Sequence, residues 1–187
     1  MLGINVKDYI DLTSFTHHNF YDKFILEVPD NFSRGYYHNV KMNEMLEIAE
    51  NALNNGYSVD WGADVSEKGF SSDNGLAINP SDLSEIIKNK EEIQWDSIYT
   101  ELNVTQEIRQ KDFDNYLTQD DHGMHIVGIV KDKLDRKYFI VKNSWGSKLR
   151  GREGYLYVSY PYFLHKTTSI SVHKEAIPKE IKAKLKL

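Results

Sequence analysis

His122 stands at the head of one apolar run, HGMHIVGIV, and Asn143 closes a second, YFIVKN. A histidine that works as a general base needs a further group to fix its ring and tautomer. An asparagine on a neighbouring strand supplies one. The segment between them, 123–142, has the length of two strands and a hairpin loop. The Asn143 amide is therefore predicted to fall beside the His122 imidazole, to accept from it or to donate to it. Trp145, two residues further on, is placed to cover that hydrogen bond and keep water from competing for it. The nucleophile that such a pair would serve is not among the 187 residues, which contain no cysteine. On spacing alone, a structural histidine at the start of a strand accounts for the pattern equally well.

Other polar residues are weaker candidates. Asp120, Asp121, His122 and His125 together suggest a metal site, because carboxylate and imidazole suit zinc. On a strand, however, residues three apart face opposite sides, and the Glu of a helical HExxH motif is missing. No metal is expected, and His125 is read as a packed strand residue. His17 and His18 lie in a loop with no partner pattern and read as surface or packing residues. Asp64, near Trp61, reads as a turn or strand-end residue rather than an acid catalyst.

Composition sets modest bounds. The length corresponds to one domain, or one domain with an appendage. Hydrophobic residues make up 40% and aromatics 12%, enough for a core. A net charge of −5 gives no nucleic-acid footprint. The apolar runs are too short to span a bilayer, and no secretory signal follows Met1. Without cysteine there are no disulfides or thiolate metal sites, and no cofactor is expected. The opening MLGINVKDYIDL reads like the middle of a domain, which predicts that the chain is part of a longer one.

The elements that must position His122 and Asn143 are mixed. Residues 1–38 carry two short apolar patches, Tyr9-Ile10 and Phe24-Ile25-Leu26-Val28, and read as irregular structure packed on something else. Residues 40–55 form an amphipathic helix, with Met42, Met45, Leu46, Ala49, Ala52 and Leu53 on one stripe and Glu44, Glu47 and Glu50 on the other. Gly56 is its stop signal. GYSVDWGADVS alternates like a strand, with Tyr57, Val59 and Trp61 on one face. Residues 67–78 read as a loop, 80–90 as a helix capped by Asn79, and 105–117 as another helix. Strands are predicted at 123–130, 137–142, 154–160 and 168–173, joined by turns such as KDKLDR and SKLRGREG. Sequential strands with tight links suggest an antiparallel meander or barrel. Helices first and strands second give an α+β class.

The segments DHGMHIVG, YFIVKNSWG and GREGYLYVS, in that order, resemble the catalytic second half of a papain-like cysteine peptidase. In that family the His of the first segment is the catalytic base, and KNSWG carries the orienting Asn and the Trp that shields it. Gly128 falls where these peptidases have a glycine after the His. GYSVDWGADVS, the lead-in DYIDLTSFTHHNFYDKFILEVPDNF, the long insert and the ending VHKEAIPKEIKAK resemble the bleomycin hydrolase and aminopeptidase C branch. That resemblance runs from about residue 4 to 187, whereas papain is matched only from about residue 57.

The resemblance implies a papain-like cysteine proteinase fold: the C-terminal, β-barrel-like right-hand domain with a helical insert, its nucleophile-bearing half missing. The whole of 1–187 is then the C-terminal half, with a lead-in and helix at 1–55, sheet at 56–66 and 122–173, an insert at 67–121 and a tail at 174–187. His122 and Asn143 are the implied catalytic residues and Trp145 the shield. In the family the nucleophilic Cys follows a Gln and precedes a Trp on a helix of the first half. Here Trp61, Trp95 and Trp145 lie in other motifs, and nothing like that helix follows Gln94. Nucleophile and oxyanion Gln are therefore expected to be absent by truncation rather than substitution. The implied activity is a cysteine-type aminopeptidase, inactive as this chain alone. Its partners would be peptide substrates and a Cys-bearing half or partner chain, in a homohexamer by family and with neither nucleic acid nor membrane. The resemblance implies a cytoplasmic location, with export also open. The tail, with five Lys, reads as a solvated or frayed helix or, by resemblance, as an arm that enters the cleft. A second class of function stays open: a non-catalytic module that keeps the fold for binding or assembly.

Overall fold

The computed structural model describes residues 5–29, 31–146 and 152–187. The strands are β1 Tyr9–Thr13, β2 Lys23–Ile25, β3 Tyr36–Asn39, β4 Val59–Ala63, β5 Phe70–Ser71, β6 Leu76–Ala77, β7 His122–Lys131, β8 Lys137–Lys142, β9 Tyr155–Ser159 and β10 Thr167–His173. The helices are α1 Met42–Asn54, α2 Leu83–Asn89, α3 Gln106–Asp114, α4 Tyr160–Lys166 and α5 Lys179–Leu185. Among the described residues the strands form one sheet in the order β2-β3-β1-β10-β4-β7-β8-β9-β6-β5. Of the described strands, β1–β3 and β6–β9 pair in parallel and the other neighbours pair antiparallel.

The centre of the sheet follows the alternation in the sequence. Val59, Trp61 and Ala63 of β4 are buried, as are Met124 and Ile126 of β7. β7, β8 and β9 form the expected antiparallel meander. The register slips between Ile126 and Gly128, where a Cβ on Gly128 would press on the Ile140 side chain at 3.3 Å. On one side α1 buries Met42, Met45, Ile48, Ala49 and Ala52 against the sheet. After Ala52 the chain closes a two-bond helix stop, with Gly56 N–H donating to Leu53 O and Tyr57 N–H to Ala52 O. Gly56 takes a φ of +78°, which suits glycine.

Four elements differ from the sequence expectation. The lead-in is not irregular: β1, β2 and β3 extend the sheet beyond 56–66 and 122–173, because β1 pairs along β10 through Tyr9↔His173 to Leu12↔Ile170. The 67–78 segment is not merely a loop but carries the β5–β6 hairpin at the other end. The helix expected at 80–90 starts only at Leu83, and Asn79 does not cap it, because its amide is committed to His165. Between β9 and β10 stands α4, which was not anticipated. Ser159 caps it, its hydroxyl accepting from Tyr162 N–H, and Pro161 sits in the first turn. The turn SKLRGREG lies largely outside the described residues.

The tail is docked rather than frayed. Ile177, Ile181 and Leu185 recur every four residues and are buried in the main core. Asn51 of α1 donates its side-chain amide to Ala176 O at 2.7 Å, and Lys184 pairs with Glu44.

Candidate active site

His122 is the first residue of β7 and pairs with Ala63, the last of β4. Two carboxylates fasten the chain just before it. Asp121 accepts from Val65 N–H at 2.9 Å, and Asp64 accepts from Gln119 N–H at 2.8 Å. Each strand end thus holds the loop of the other. Asp64 also accepts from the backbone and hydroxyl of Ser66, so its role is that of a strand-end fastener. Burial, with Asp64 close by, raises the Asp121 carboxyl above the usual range.

Asn143 follows the last residue of β8. Its backbone N–H donates to Gly154 O at 3.0 Å, which ties it to the start of β9. Gly154 has a φ of +80°, and a Cβ there would lie 2.5 Å from Gly146 O. Any side chain at 154 would push this loop open. Lys142 Nζ donates to Glu153 O and strengthens the same closure.

These constraints bring the two side chains together. His122 Nε2 lies 2.8 Å from Asn143 Oδ1. An amide oxygen only accepts, so Nε2 carries the proton, and Nδ1 of the neutral ring keeps its lone pair. Among the described residues nothing bonds Nδ1. The Trp145 ring lies over the imidazole, with centroids 4.5 Å apart and planes at 37°. Trp145 remains 44% exposed, and Phe70 of the insert meets it edge-on at 6.1 Å. The arrangement presents a base with a fixed tautomer and one open nitrogen. That is the equipment for taking a proton from a nucleophile placed at Nδ1.

His125 is not packed as expected. It points to the exposed face of β7, cross-strand from Asp60 and Lys142. Among the described residues no three His, Asp or Glu side chains are grouped to hold a metal ion. His17 and His18 join a cluster of rings with Phe24 and Phe113, and His17 contacts Gln110 at 3.1 Å.

A model of the Peptidase C1-like family matches residues 1–187. The chain belongs to the Peptidase C1-like family. Two relatives from Lactobacillus delbrueckii subsp. lactis, aminopeptidase G and aminopeptidase W, are each 26% identical and are matched over 95% of this chain. The chain spans 38% of the length of each. The crystal structure of PepW from Lactobacillus rhamnosis HN001 superposes with a TM-score of 0.73 at 19% identity, covering 99% of this chain and 39% of that one. The papain-like α+β fold expected from the sequence is therefore the fold of this family member. The Asp64–Asp121 fastening was missed by sequence reasoning. Its signal was the pair of acidic residues directly before His122 and the one directly after β4.

Proposed function

We propose that this chain supplies the general base and its orienting group to a cysteine-type aminopeptidase, which removes N-terminal residues from peptides. The reading rests on the His122–Asn143 bond of 2.8 Å under the Trp145 ring. The names of its relatives and the family membership point the same way. The thiol comes from polypeptide outside these 187 residues, as the sequence holds no cysteine.

In the assembled enzyme the thiol stands at His122 Nδ1 and gives it a proton, forming a thiolate–imidazolium pair. The thiolate attacks the scissile carbonyl carbon. The imidazolium then returns its proton to the leaving amine as the C–N bond breaks, leaving a thioester. His122 next takes a proton from water, and the resulting hydroxide attacks the thioester. The acid departs, and the thiolate is restored. Asn143 keeps the ring in one tautomer throughout, as a neutral counterpart to the Asp of serine triads. By family resemblance the assembly is a hexamer.

The absence of cysteine also favours a second reading, a non-catalytic module that retains the fold. One experiment separates the two. The purified chain is expected neither to hydrolyse aminoacyl anilides nor to be labelled by a thiol-directed epoxide. Co-expression with the Cys-bearing portion of one of the relatives is expected to restore both. If an assembled pair with His122 and the thiol intact stays inert, the module reading stands.

A further inference from the structure

Asn143 is placed to orient His122, but among the described residues the far end of its own amide has no partner. Asn143 is 5% exposed, and its Nδ2 is buried without a hydrogen-bond partner. Such a donor is costly to leave unpaired. It is also the group that decides the tautomer. If the amide turned over, Nδ2 would face His122 Nε2 and donate to it. The ring proton would move to Nδ1, and the base would be lost on the open side.

A second buried polar atom without a partner is Ser72 Oγ. Ser72 and Asn143 line the same crevice, together with Trp145, Gly146 and Gly154. The crevice is too small to admit a water molecule, so no solvent bridge is available. The hairpin that carries Ser72 is held against this segment from several directions. Tyr157 N–H donates to Gly75 O at 2.9 Å. A Cβ on Gly75 would lie 2.7 Å from Arg152 Cγ. Phe70 meets Trp145 edge-on. The other atoms in the same condition among the described residues, His38 Nδ1 and Arg109 Nη2, belong to groups that do not line this crevice.

We infer that Ser72 is a positioning residue for Asn143: the two atoms stand unbonded in one closed crevice, and a small turn of the Ser72 side chain lets its hydroxyl accept from Nδ2–H and pin the amide with Oδ1 toward His122. Nδ2 is a pure donor, and a serine oxygen has two lone pairs, so the match is chemical as well as spatial. The inference rests on the proposed role of His122 and Asn143. It assigns to the insert the task of choosing which ring nitrogen carries the proton.

NMR on the whole 187-residue chain tests this without requiring activity. Hydrogen exchange of the Asn143 side-chain amide and the nitrogen shifts of the His122 ring are measured in the wild type, Ser72→Ala, Ser72→Thr and Asn143→Ala. In the wild type an Asn143 Hδ2 is expected to be protected, and the Nε2–H tautomer to dominate. Ser72→Ala is expected to weaken protection and tautomer preference by about five- to tenfold, the worth of one neutral hydrogen bond. Ser72→Thr, which keeps the hydroxyl, is expected to restore both. Free-amide exchange in the wild type overturns the inference even if Ser72→Ala fails to fold. So does a folded Ser72→Ala with unchanged exchange and tautomer. If instead Asn143→Ala leaves the His122 ring shifts unmoved, the His122–Asn143 reading fails, which is a separate result.

Discussion

Among the described residues two histidine–asparagine side-chain pairs stand out, and they are built for opposite ends. His122 meets Asn143 through the amide oxygen at 2.8 Å, at the end of the sheet, with Nδ1 open. His165 meets Asn79 through the amide nitrogen, Nδ2 lying 3.1 Å from Nδ1, and its Nε2 donates to Asp112 at 2.8 Å. Both rings are thus in the same neutral tautomer. The second has spent its lone pair on Asn79 and is only 5% exposed. It joins α3, α4 and the segment before α2. Beside it Lys166 binds Glu67 and donates to Leu117 O, holding the approach to His122. A histidine–asparagine contact is therefore not a mark of catalysis. On the proposed reading, an unoccupied ring nitrogen at an accessible edge is what separates the base from the fastener.

The largest test of that contrast is a crossed pair of substitutions. In the assembled enzyme His122→Ala should lower turnover by about 10²–10⁴-fold, the usual worth of a positioned acid/base. Thermal unfolding of the chain should hardly change. Asn143→Ala should lower turnover by less, because it loosens the ring without removing it. Steady-state kinetics beside a melting curve reads both effects. A His122→Ala enzyme that keeps its turnover would remove the proposed mechanism.

His165→Ala should do the reverse. It strands the Asp112 carboxylate and the Asn79 amide in a largely buried setting. Loss of about 2–4 kcal/mol is expected in urea unfolding, with little effect on turnover beyond the lost folded fraction. Equal stability in the variant would mean that the buried pair fastens nothing.

Legibility in the sequence divides along the same line. His122 and Asn143 could be paired because each ends an apolar run and a hairpin of the right length joins them. α1 was readable from its stripe, Met42, Met45, Ala49 and Ala52. His165 offered no such clue: its partners stand 53 and 86 residues away, on unrelated elements. The outer strands were hidden for a similar reason. β1 takes its register from β10 at the other end of the chain, and β5 and β6 are two residues each, too short to show alternation. α4 did leave a signal, the Ser159 cap with Pro161, but its aromatic YPYF run follows a strand directly and reads as its continuation. The tail's stripe of Ile177, Ile181 and Leu185 was masked by its lysines.

The contrast also has a pH signature. Burial, aided by the Lys166 ammonium, holds the His165 ring down to about 4. The unfolded chain protonates this residue near 6.5, while the folded chain does not until about 4. Stability from the neutral ring is therefore fully present above pH 6.5 and is lost as pH falls from 6.5 to 4, by roughly 3 kcal/mol. His165→Gln should flatten that stretch of the stability curve. A slope that survives in the variant would assign the loss to other groups.

The smallest effect is expected at His125, and it guards the strand assignment on which the site depends. The motif DHGMHIVG holds two histidines, and only strand parity separates their roles. His122 shares its side of β7 with the buried Met124 and Ile126, whereas His125 is on the opposite, exposed side. Its neighbours there are Asp60 and Lys142, whose charges solvent screens. His125→Ala should change stability by no more than about 0.5 kcal/mol and leave turnover nearly intact. A shift of one residue in the pairing of β7 would reverse the two faces. His125 would then be the ring facing Asn143, and its loss would abolish turnover while His122→Ala was tolerated. Kinetics on the two variants side by side distinguishes these registers, because no single register lets both substitutions be silent if the pair is the catalytic one.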